Sequence, residues 1–376
     1  MTDTATCVTL MEACGRAGVP LLLRSGPGMG KSSLVRSLGA AYDLPVEIVT
    51  GSHSDPTDFV GLPYIDPAGN GVRTEPKAWA KRLVAAGKGI LLLEELTTVP
   101  ASTQGAMLAV ALDKMVGEDL RLPEDVWVFA AANPPELSAG GYELAPPMAN
   151  RFCHVDYEPT VEEWVEGMIT GWKAVPASRA VVPTEAHVSS LVAAVTAFVT
   201  ARPALLRNAR PDSDAELGGA WPSDRTWDML TAVLARLRAD DVAAVQAAVF
   251  GLVGVAAGRE FLKWLNSRDL PDPAAVIADP SIVDWAQERP DRLWAVLNGV
   301  ATLAAQAGTQ EMWRRAWQPL AACAKAGRPD VAAAAARALG KVMPVDAQKP
   351  PAAARAFIPI LIAAGLMADD SQGSAA

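Results

Sequence analysis

The glycine-rich stretch SGPGMGKSS, residues 25–33, contains residue types that could bind phosphate. It ends in Gly30, Lys31 and Ser32, as a phosphate-binding loop requires, but Ser25 stands where that pattern has its leading glycine. Glycines let successive backbone N–H groups turn toward an anion, and a following helix adds its partial positive charge. In such a loop Lys31 reaches the β- and γ-phosphates, and the Ser32 hydroxyl ligates Mg²⁺. The pattern predicts a nucleotide phosphate site; the alternative is a plain strand-to-helix turn.

Two carboxylates follow a second apolar run, in the stretch GILLLEELTT. Glu94 could hold Mg²⁺ together with Ser32, directly or through water, while Glu95 would polarise the attacking water. Glu94 occupies a place where Asp is usual, and its extra methylene could displace the metal or slow the chemistry. The alternative interpretation is an ordinary strand end with two solvated glutamates.

A polar residue also follows a third apolar run, in VFAAANPPE. Asn133 is expected at the carboxyl edge of the sheet, where open α/β sheets bind ligands, and a side chain there can orient the attacking water. Taken alone, it could instead serve the turn before two prolines, but its position relative to the loop and the carboxylates favours the ligand site. The predicted nucleotide contacts are Gly26, Pro27, Gly28, Met29, Gly30, Lys31, Ser32 and Ser33.

The elements that must position these residues alternate between short apolar runs and amphipathic helical stretches over residues 1–158. That alternation is typical of an α/β fold with a parallel sheet covered on both faces. Hairpin-like turn chemistry within residues 61–76 and 115–128 predicts two insertions that decorate the sheet. The strands are expected at residues 20–24, 46–49, 90–93, 126–131 and 154–157.

From about residue 159 onward the strand pattern ends, and Ala, Leu, Val and Trp recur at helical spacing. The length of 376 residues favours two or three units. We therefore expect an α/β domain over residues 1–158, an all-α domain over 159–275, and a helical extension over 276–376 that ends in a disordered tail, DDSQGSAA.

Composition limits the classes of partner. Thirty-three Lys and Arg against 42 Asp and Glu give a net charge of −9, so there is no general electrostatic reason to bind nucleic acid or anionic lipid. The four cysteines lack metal-ligand spacing and are expected to be reduced and mostly packed. No secretion signal is recognised at the amino terminus, and the most membrane-like stretch, residues 242–258, falls short of a span. These features predict a cytoplasmic protein without a membrane partner.

The phosphate loop and the segments ILLLEEL, AAANPPE, APPMANRF and WPSDRTW, in this order, resemble the AAA+ ATPases, and more closely their MoxR branch. The resemblance covers about residues 15–270 and implies an AAA+ α/β nucleotide-binding domain followed by an all-α lid. The MoxR branch carries an insertion hairpin in its second helix, which would lie within residues 61–76 here. The resemblance gives no information about residues 276–376.

The resemblance also assigns roles to individual residues. It gives the Walker functions to Lys31, Ser32, Glu94 and Glu95, and the first-sensor role to Asn133. Arg151 of the NRF segment resembles the arginine finger, which completes a neighbouring subunit's site, and Arg225 resembles the second sensor, which approaches the γ-phosphate from the lid. A forked, permanently charged donor suits the developing charge on a phosphoryl group. Without the resemblance, Arg151 could form a surface salt bridge, and Arg225 could be a first-turn residue of a capped helix.

The activity implied is ATP hydrolysis with Mg²⁺, in a homo-oligomer for which six subunits is the usual number. The resemblance further implies a chaperone-like task on a partner protein, often with a von Willebrand factor A domain protein. Two alternatives stay open: a nucleotide-gated scaffold with little turnover, favoured by Ser25 and Glu94, and a nucleic-acid-associated AAA+ motor, against which the acidic balance argues.

Overall fold

The chain forms two compact units in a computed structural model. The first combines Met1–Val182 with Leu205–Glu260, and the second combines Pro183–Ala204 with Phe261–Ala376. The boundaries expected from the sequence, after residues 158 and 275, do not coincide with the limits of these units. The structure describes residues 2–69, 71–134, 137, 142, 144–172, 175–207, 211, 213, 217–266, 271–344 and 350–366. The predicted disordered tail lies outside the described residues.

A five-stranded parallel sheet forms the centre of the first unit, with strand order β2-β5-β8-β1-β9. Each strand lies within one residue, at either end, of a run predicted from the sequence. The predicted α/β fold with a parallel sheet is thus confirmed. The strands of this sheet are β1 (Leu21–Arg24), β2 (Val46–Thr50), β5 (Gly89–Glu94), β8 (Val126–Ala132) and β9 (Cys153–Asp156).

The central strands are uniformly apolar because both faces of the sheet are covered. All seven residues of β8 are buried, as are five of the six residues of β5, and only the last residue of β5 is partly exposed. Since parallel strands share one direction, the polar residues that follow β1, β5 and β8 are placed at the same sheet edge. This edge is where the predicted site residues of three separate segments meet.

Two antiparallel hairpins decorate the sheet, as the turn chemistry predicts. The first pairs β3 (Leu62–Ile65) with β4 (Val72–Glu75), and the second pairs β6 (Met115–Val116) with β7 (Leu120–Arg121). The hairpins touch: a Cβ added at Gly117 would lie 2.4 Å from the carbonyl oxygen of Val60 and 2.6 Å from the hydroxyl of Thr74. The first hairpin interrupts the helical connection between β2 and β5.

Helices precede and separate the strands of the parallel sheet up to β9, and the described residues after β9 contain no further named strand. A helical carboxyl-terminal region is therefore confirmed. The helices are α1 (Thr4–Ala17), α2 (Lys31–Ala41), α3 (Thr57–Val60), α4 (Ala78–Ala86), α5 (Ala101–Asp113), α6 (Pro146–Ala149), α7 (Val161–Thr170), α8 (Glu185–Ala201), α9 (Ala204–Arg207), α10 (Asp224–Leu234), α11 (Val242–Asn266), α12 (Pro273–Ala278), α13 (Pro290–Ala307), α14 (Gln310–Lys325), α15 (Pro329–Lys341) and α16 (Ile358–Ala363).

Helix α11 is the one helix in the described part of the chain that is long and apolar enough to cross a membrane. Only length and composition favour that role, and 44% of its most apolar window is buried in the protein. Gly254 interrupts the helix with non-helical angles, φ 76° and ψ 167°, so the two halves do not form one regular rod. A side chain there would lie 2.6 Å from the carbonyl oxygen of Ala220. The expectation that this stretch is not a membrane span stays a prediction.

The second unit is a helical body around an apolar core. Trp313 and Trp317 are fully buried there, with ring centroids 6.1 Å apart and nearly perpendicular planes. The side chain of Ser189 on α8 hydrogen-bonds to Gln306 on α13, and a Cβ at Gly299 would lie 3.5 Å from Ala193. Helix α8 therefore belongs to this unit, although the sequence-based boundaries group it with the lid.

Candidate nucleotide site

The loop between β1 and α2 depends on two glycines. Gly28 and Gly30 both have a φ of 79°, in the left-handed region that residues with a Cβ rarely adopt. Gly30 caps α2 without a side-chain hydrogen bond, so no capping side chain occupies the first amides of that helix. Pro27 and Met29 are exposed, and Gly26 is partly exposed. An exposed turn before an uncapped helix amino terminus can receive an anion.

Lys31 is held at the centre of the site by groups from two elements. Its Nζ donates to the backbone oxygen of Ser25 at 2.9 Å, to the Ser25 hydroxyl at 3.0 Å and to the backbone oxygen of Gly26 at 3.1 Å. It also donates to Oδ1 of Asn133, directly after β8, at 2.8 Å. Burial lowers the pKa of Lys31, and the nearby charge of Glu94 partly opposes that effect. The structure thus joins the loop lysine to the predicted first sensor.

Ser32 meets Glu94 across the same sheet edge. The Ser32 hydroxyl donates to Oε1 of Glu94, although the two residues are 62 positions apart in the chain. Hard oxygen donors of this kind suit Mg²⁺, which usually binds through one or two protein oxygens together with substrate phosphates and water. The described residues contain no cluster of three or more His, Cys, Asp or Glu that could hold a metal alone. The pair therefore fits a metal that arrives with a nucleotide.

Glu95 has an unusual backbone conformation for a residue with a side chain. Its φ of 57° and ψ of 41° lie in the left-handed region, which costs on the order of 1–3 kcal/mol. Its carbonyl oxygen accepts the backbone N–H of Thr98 at 3.0 Å and the Thr98 hydroxyl at 2.8 Å. These bonds help to hold the turn that follows Glu94. Such strain is typical of functional positions.

The end of β2 supports this turn through Gly51, which the analysis of the sequence did not single out as a site residue. A Cβ at Gly51 would lie 3.1 Å from the carbonyl oxygen of Glu94 and 3.3 Å from that of Glu95. It would also come within 2.7 Å of the Val99 side chain. Glycine here lets the strand end lie directly against the two carboxylate-bearing residues.

Arg151 and Arg225 lie near each other within one chain. Arg151 follows α6 and donates through Nη1 to the carbonyl oxygen of Pro147 at 2.7 Å, while its buried Nε has no hydrogen-bond partner among the residues that the structure describes. Burial lowers the pKa of Arg151, and the positive charge of Arg225 lowers it further, whereas Asp113 raises it. Arg225 is exposed in the first turn of α10.

Side-chain hydrogen bonds join the segments that carry the two arginines. Asn150 donates to the carbonyl oxygen of Trp221 at 3.0 Å, and the Ser223 hydroxyl donates to Asn150 at 2.7 Å. Ser223 also caps α10 by accepting from the Thr226 backbone. Among the described residues, the two arginines have no hydrogen bond or ion pair with Lys31, Ser32 or Glu94. The structure therefore brings together the loop, Glu94 and Asn133, but not the arginines.

A cavity of about 390 Å³ opens in the first unit, beside the carboxyl ends of β1 and β9. Arg24, the residue directly before the phosphate loop, lines it and contacts Asp156, with 3.0 Å between Arg24 Nε and Asp156 Oδ1. Thr2 and Asp3 line it from the amino terminus, and the other lining residues include several from α11. Its position next to the loop suits the nucleoside part of a nucleotide. No local sequence pattern predicts this cavity, because its walls come from five segments that are distant in the chain.

His154 on β9 also lines the cavity and is buried. Its Nε2 lies 2.8 Å from the carbonyl oxygen of Ala149. Burial lowers the pKa of His154 to about 4, and the positive charge of Arg24 contributes in the same direction. The ring is therefore neutral near pH 7.

Comparison with known protein families supports this fold. Residues 20–154 match the family model described as "ATPase family associated with various cellular activities (AAA)". One solved structure, described as that of a "putative ATPase" from Cytophaga hutchinsonii, is 16% identical, with a TM-score of 0.46, over 71% of this chain and 91% of that chain. No curated protein matches. Residues 20–154 are therefore similar to an ATPase domain of the AAA type, and they contribute to a parallel five-stranded sheet that is followed by a helical region.

Proposed function

We propose that this chain is a MoxR-like AAA+ ATPase, which hydrolyses ATP in a homo-oligomeric ring, expected to be a hexamer, and thereby remodels or activates a partner protein. The proposal rests on two hydrogen bonds made by adjacent residues. Lys31 donates to Asn133 after β8, and Ser32 donates to Glu94 at the end of β5. A plain glycine-rich turn would not explain why both pairs form.

Nucleotide binding requires the Lys31 amine to leave the loop's own oxygens and to donate to the β- and γ-phosphates instead. Ser32 and Glu94 would hold Mg²⁺, which when bound supplies positive charge to the phosphate oxygens. Asn133 would orient the attacking water, and Glu95 would accept its proton. The cavity beside β1 and β9 would receive the nucleoside.

The arginines would couple the site to motion. Arg225 would approach the γ-phosphate when nucleotide draws the helical part toward the sheet, and Arg151 would complete the site of a neighbouring subunit. For that role the Arg151 guanidinium has to leave the carbonyl of Pro147. Since Arg151 and Arg225 share one charged neighbourhood, movement of one changes the electrostatic environment of the other.

The proposed partner is a client or adaptor protein, for example one with a von Willebrand factor A domain, and the proposed location is the cytoplasm. The net charge of −9 argues against nucleic acid as the main partner.

The first experiment measures phosphate release per subunit with Mg²⁺-ATP over a wide range of protein concentration, for wild type and Glu95→Gln. Specific activity should rise with concentration and then level off, because the site is shared between subunits. Glu95→Gln should keep nucleotide affinity and lose about 10²-fold or more in turnover. Glu311→Gln, at an exposed glutamate of the second unit, is the matched control. Unchanged turnover in Glu95→Gln would remove this residue from the catalytic role.

A second candidate is a nucleotide-gated scaffold with little turnover. The scaffold is favoured because Lys31 donates hydrogen bonds to oxygens of its own loop, including the hydroxyl of Ser25. Tight nucleotide binding without phosphate release at any protein concentration would support the scaffold and contradict the ATPase.

A further inference from the structure

Helix α7 carries an apolar stripe that is not covered. Its side chains recur at spacings of three and four residues, which places them on one face of a helix, and such a stripe normally faces the core of a protein. Here they are 43–80% exposed. The helix is fixed through another side: Glu163 accepts the backbone N–H of Thr4 at 3.0 Å and that of Thr160 at 2.8 Å. The stripe consists of Val161, Trp164, Val165, Met168 and Ile169.

Gly171 and Trp172, at the end of α7, extend the same exposed surface. Gly171 ends the helix in the left-handed conformation with a φ of 76°, and Trp172 folds back with a φ of 58°. A Cβ at Gly167 would lie 2.4 Å from the Trp172 ring, so the ring packs directly on the helix backbone. Trp172 is still 51% exposed. Because the Trp172 ring is already packed on the helix, it would lose less conformational entropy on binding than a free side chain.

One flank of the stripe is acidic. Glu162 and Glu166 are four residues apart, both are exposed, and neither has a cationic partner among the described residues. Together with three apolar residues of the stripe they line an open groove of about 370 Å³. The segment VEEWVEGMITGW, residues 161–172, contains no Lys or Arg. The surface thus combines an apolar centre with a negative edge.

We propose that α7 binds an amphipathic helix of a partner protein that carries Lys or Arg beside its apolar stripe. A helix of that kind would cover the stripe and place its cations against Glu162 and Glu166. An anionic membrane would be repelled by the same carboxylates. A second copy in a twofold arrangement would bring glutamates against glutamates, whereas a neighbouring subunit of the proposed ring would present a different face, and the test below separates that case by oligomeric state. The chain's own last residues, 367–376, contain Asp369 and Asp370 and few apolar residues. The proposal does not depend on the nucleotide site.

The test uses two synthetic amphipathic peptides with the same leucine stripe, one with lysine and one with glutamate on the polar face, each labelled for fluorescence anisotropy. The lysine peptide should bind the full chain saturably, at least about tenfold more tightly than the glutamate peptide. Met168→Ala with Ile169→Ala should weaken that binding by about tenfold or more, because apolar anchors are removed. Val182→Ala changes a side chain that is 85% exposed outside the helix and should have no effect.

Charge and location are tested in the same system. Glu162→Gln with Glu166→Gln should weaken the lysine peptide about fivefold, with little change for the glutamate peptide. Hydrogen exchange should show peptide-dependent protection at residues 161–172. Equal binding of the two peptides, or equal binding to wild type and Met168→Ala/Ile169→Ala, would overturn the proposal. A fall in oligomeric state of the same double variant, seen by sedimentation, would also overturn it by assigning the face to a second copy.

Discussion

The carboxyl edge of the sheet and the core of the second unit are built on opposite principles. At the sheet edge a lysine, a glutamate, a serine and an asparagine contact one another in partly buried positions, and Glu95 adopts a left-handed backbone. In the second unit the main core consists of apolar side chains, including Trp313 and Trp317. The first region holds reactive groups under constraint, whereas the second gains stability from burial.

This contrast indicates where function and stability can be altered separately. A substitution at the sheet edge should change binding or turnover more than the free energy of unfolding. A substitution in the second core should do the reverse. Variants in the two regions therefore test whether nucleotide binding and turnover can be changed separately from the free energy of unfolding.

The largest effect is expected for Arg151→Ala. If this residue completes a neighbouring site, turnover should fall about 10³-fold or more while nucleotide affinity is kept. Mixing Arg151→Ala with Glu95→Gln, each inactive alone, should restore activity, because some interfaces then combine an intact Glu95 with an intact Arg151. Phosphate release across mixing ratios is the measurement. No recovery at any ratio would place both residues in one subunit's site and contradict the role between subunits.

Trp317→Ala tests the other side of the comparison. Removing this fully buried ring should lower the free energy of unfolding by about 3–5 kcal/mol. Nucleotide affinity, measured below the unfolding transition, should stay within about twofold of wild type. Trp317→Phe should cost much less, since it keeps an aromatic ring and removes a buried N–H for which the described part of the chain provides no hydrogen-bond partner.

The matched control is Trp164→Ala at a half-exposed tryptophan, expected to change the free energy of unfolding by about 0.5 kcal/mol or less. Denaturant titration measures all three variants. If Trp317→Ala abolishes nucleotide binding while the chain is still folded, the separation between the two regions is wrong.

His154 makes stability at the sheet edge depend on pH. Its pKa is lowered to about 4 in the folded protein from an ordinary value of 6.5, so the unfolded chain binds a proton first as pH falls. The contribution of neutral His154 to the free energy of unfolding is fully present above about pH 6.5. It is lost as the pH falls from about 6.5 to 4, and it amounts to on the order of 3 kcal/mol. His154→Leu should flatten this part of the stability profile.

Hydrogen exchange at several pH values can locate the effect, which should appear in the first unit. His53→Gln, at an exposed histidine of the same unit, serves as the control and should leave the profile unchanged. An unchanged slope in His154→Leu would show that other groups cause the acid sensitivity.

The sheet and the centre of the site could be predicted because each depends on a local pattern. An apolar run followed by a polar residue identifies the ends of β5 and β8, and parallel strands bring those ends to one edge. Strand order then explains why Lys31 meets Asn133 although 102 positions separate them. The individual roles of these residues stay predictions.

Other features could not be predicted because they depend on which elements meet. Gly51 matters through its approach to the carbonyls of Glu94 and Glu95, and nothing in its own neighbourhood signals that contact. Helix α8 has the same apolar periodicity as its neighbours in sequence, so periodicity does not reveal that it packs with α13. The domain boundaries expected after residues 158 and 275 rest on composition, which does not specify packing partners.

The smallest effect concerns Ser25, whose hydroxyl accepts a hydrogen bond from Lys31 at 3.0 Å in a nearly buried position. Because this bond competes with the phosphates for the lysine, Ser25→Gly should tighten ADP binding about fivefold, equivalent to about 1 kcal/mol. Calorimetric titration measures the affinity. Ser25→Ala separates the two possible causes, since it removes the hydroxyl without adding the backbone freedom of glycine. Equal tightening in both variants would assign the effect to the hydroxyl, whereas weaker binding in both would show that the hydroxyl assists the nucleotide.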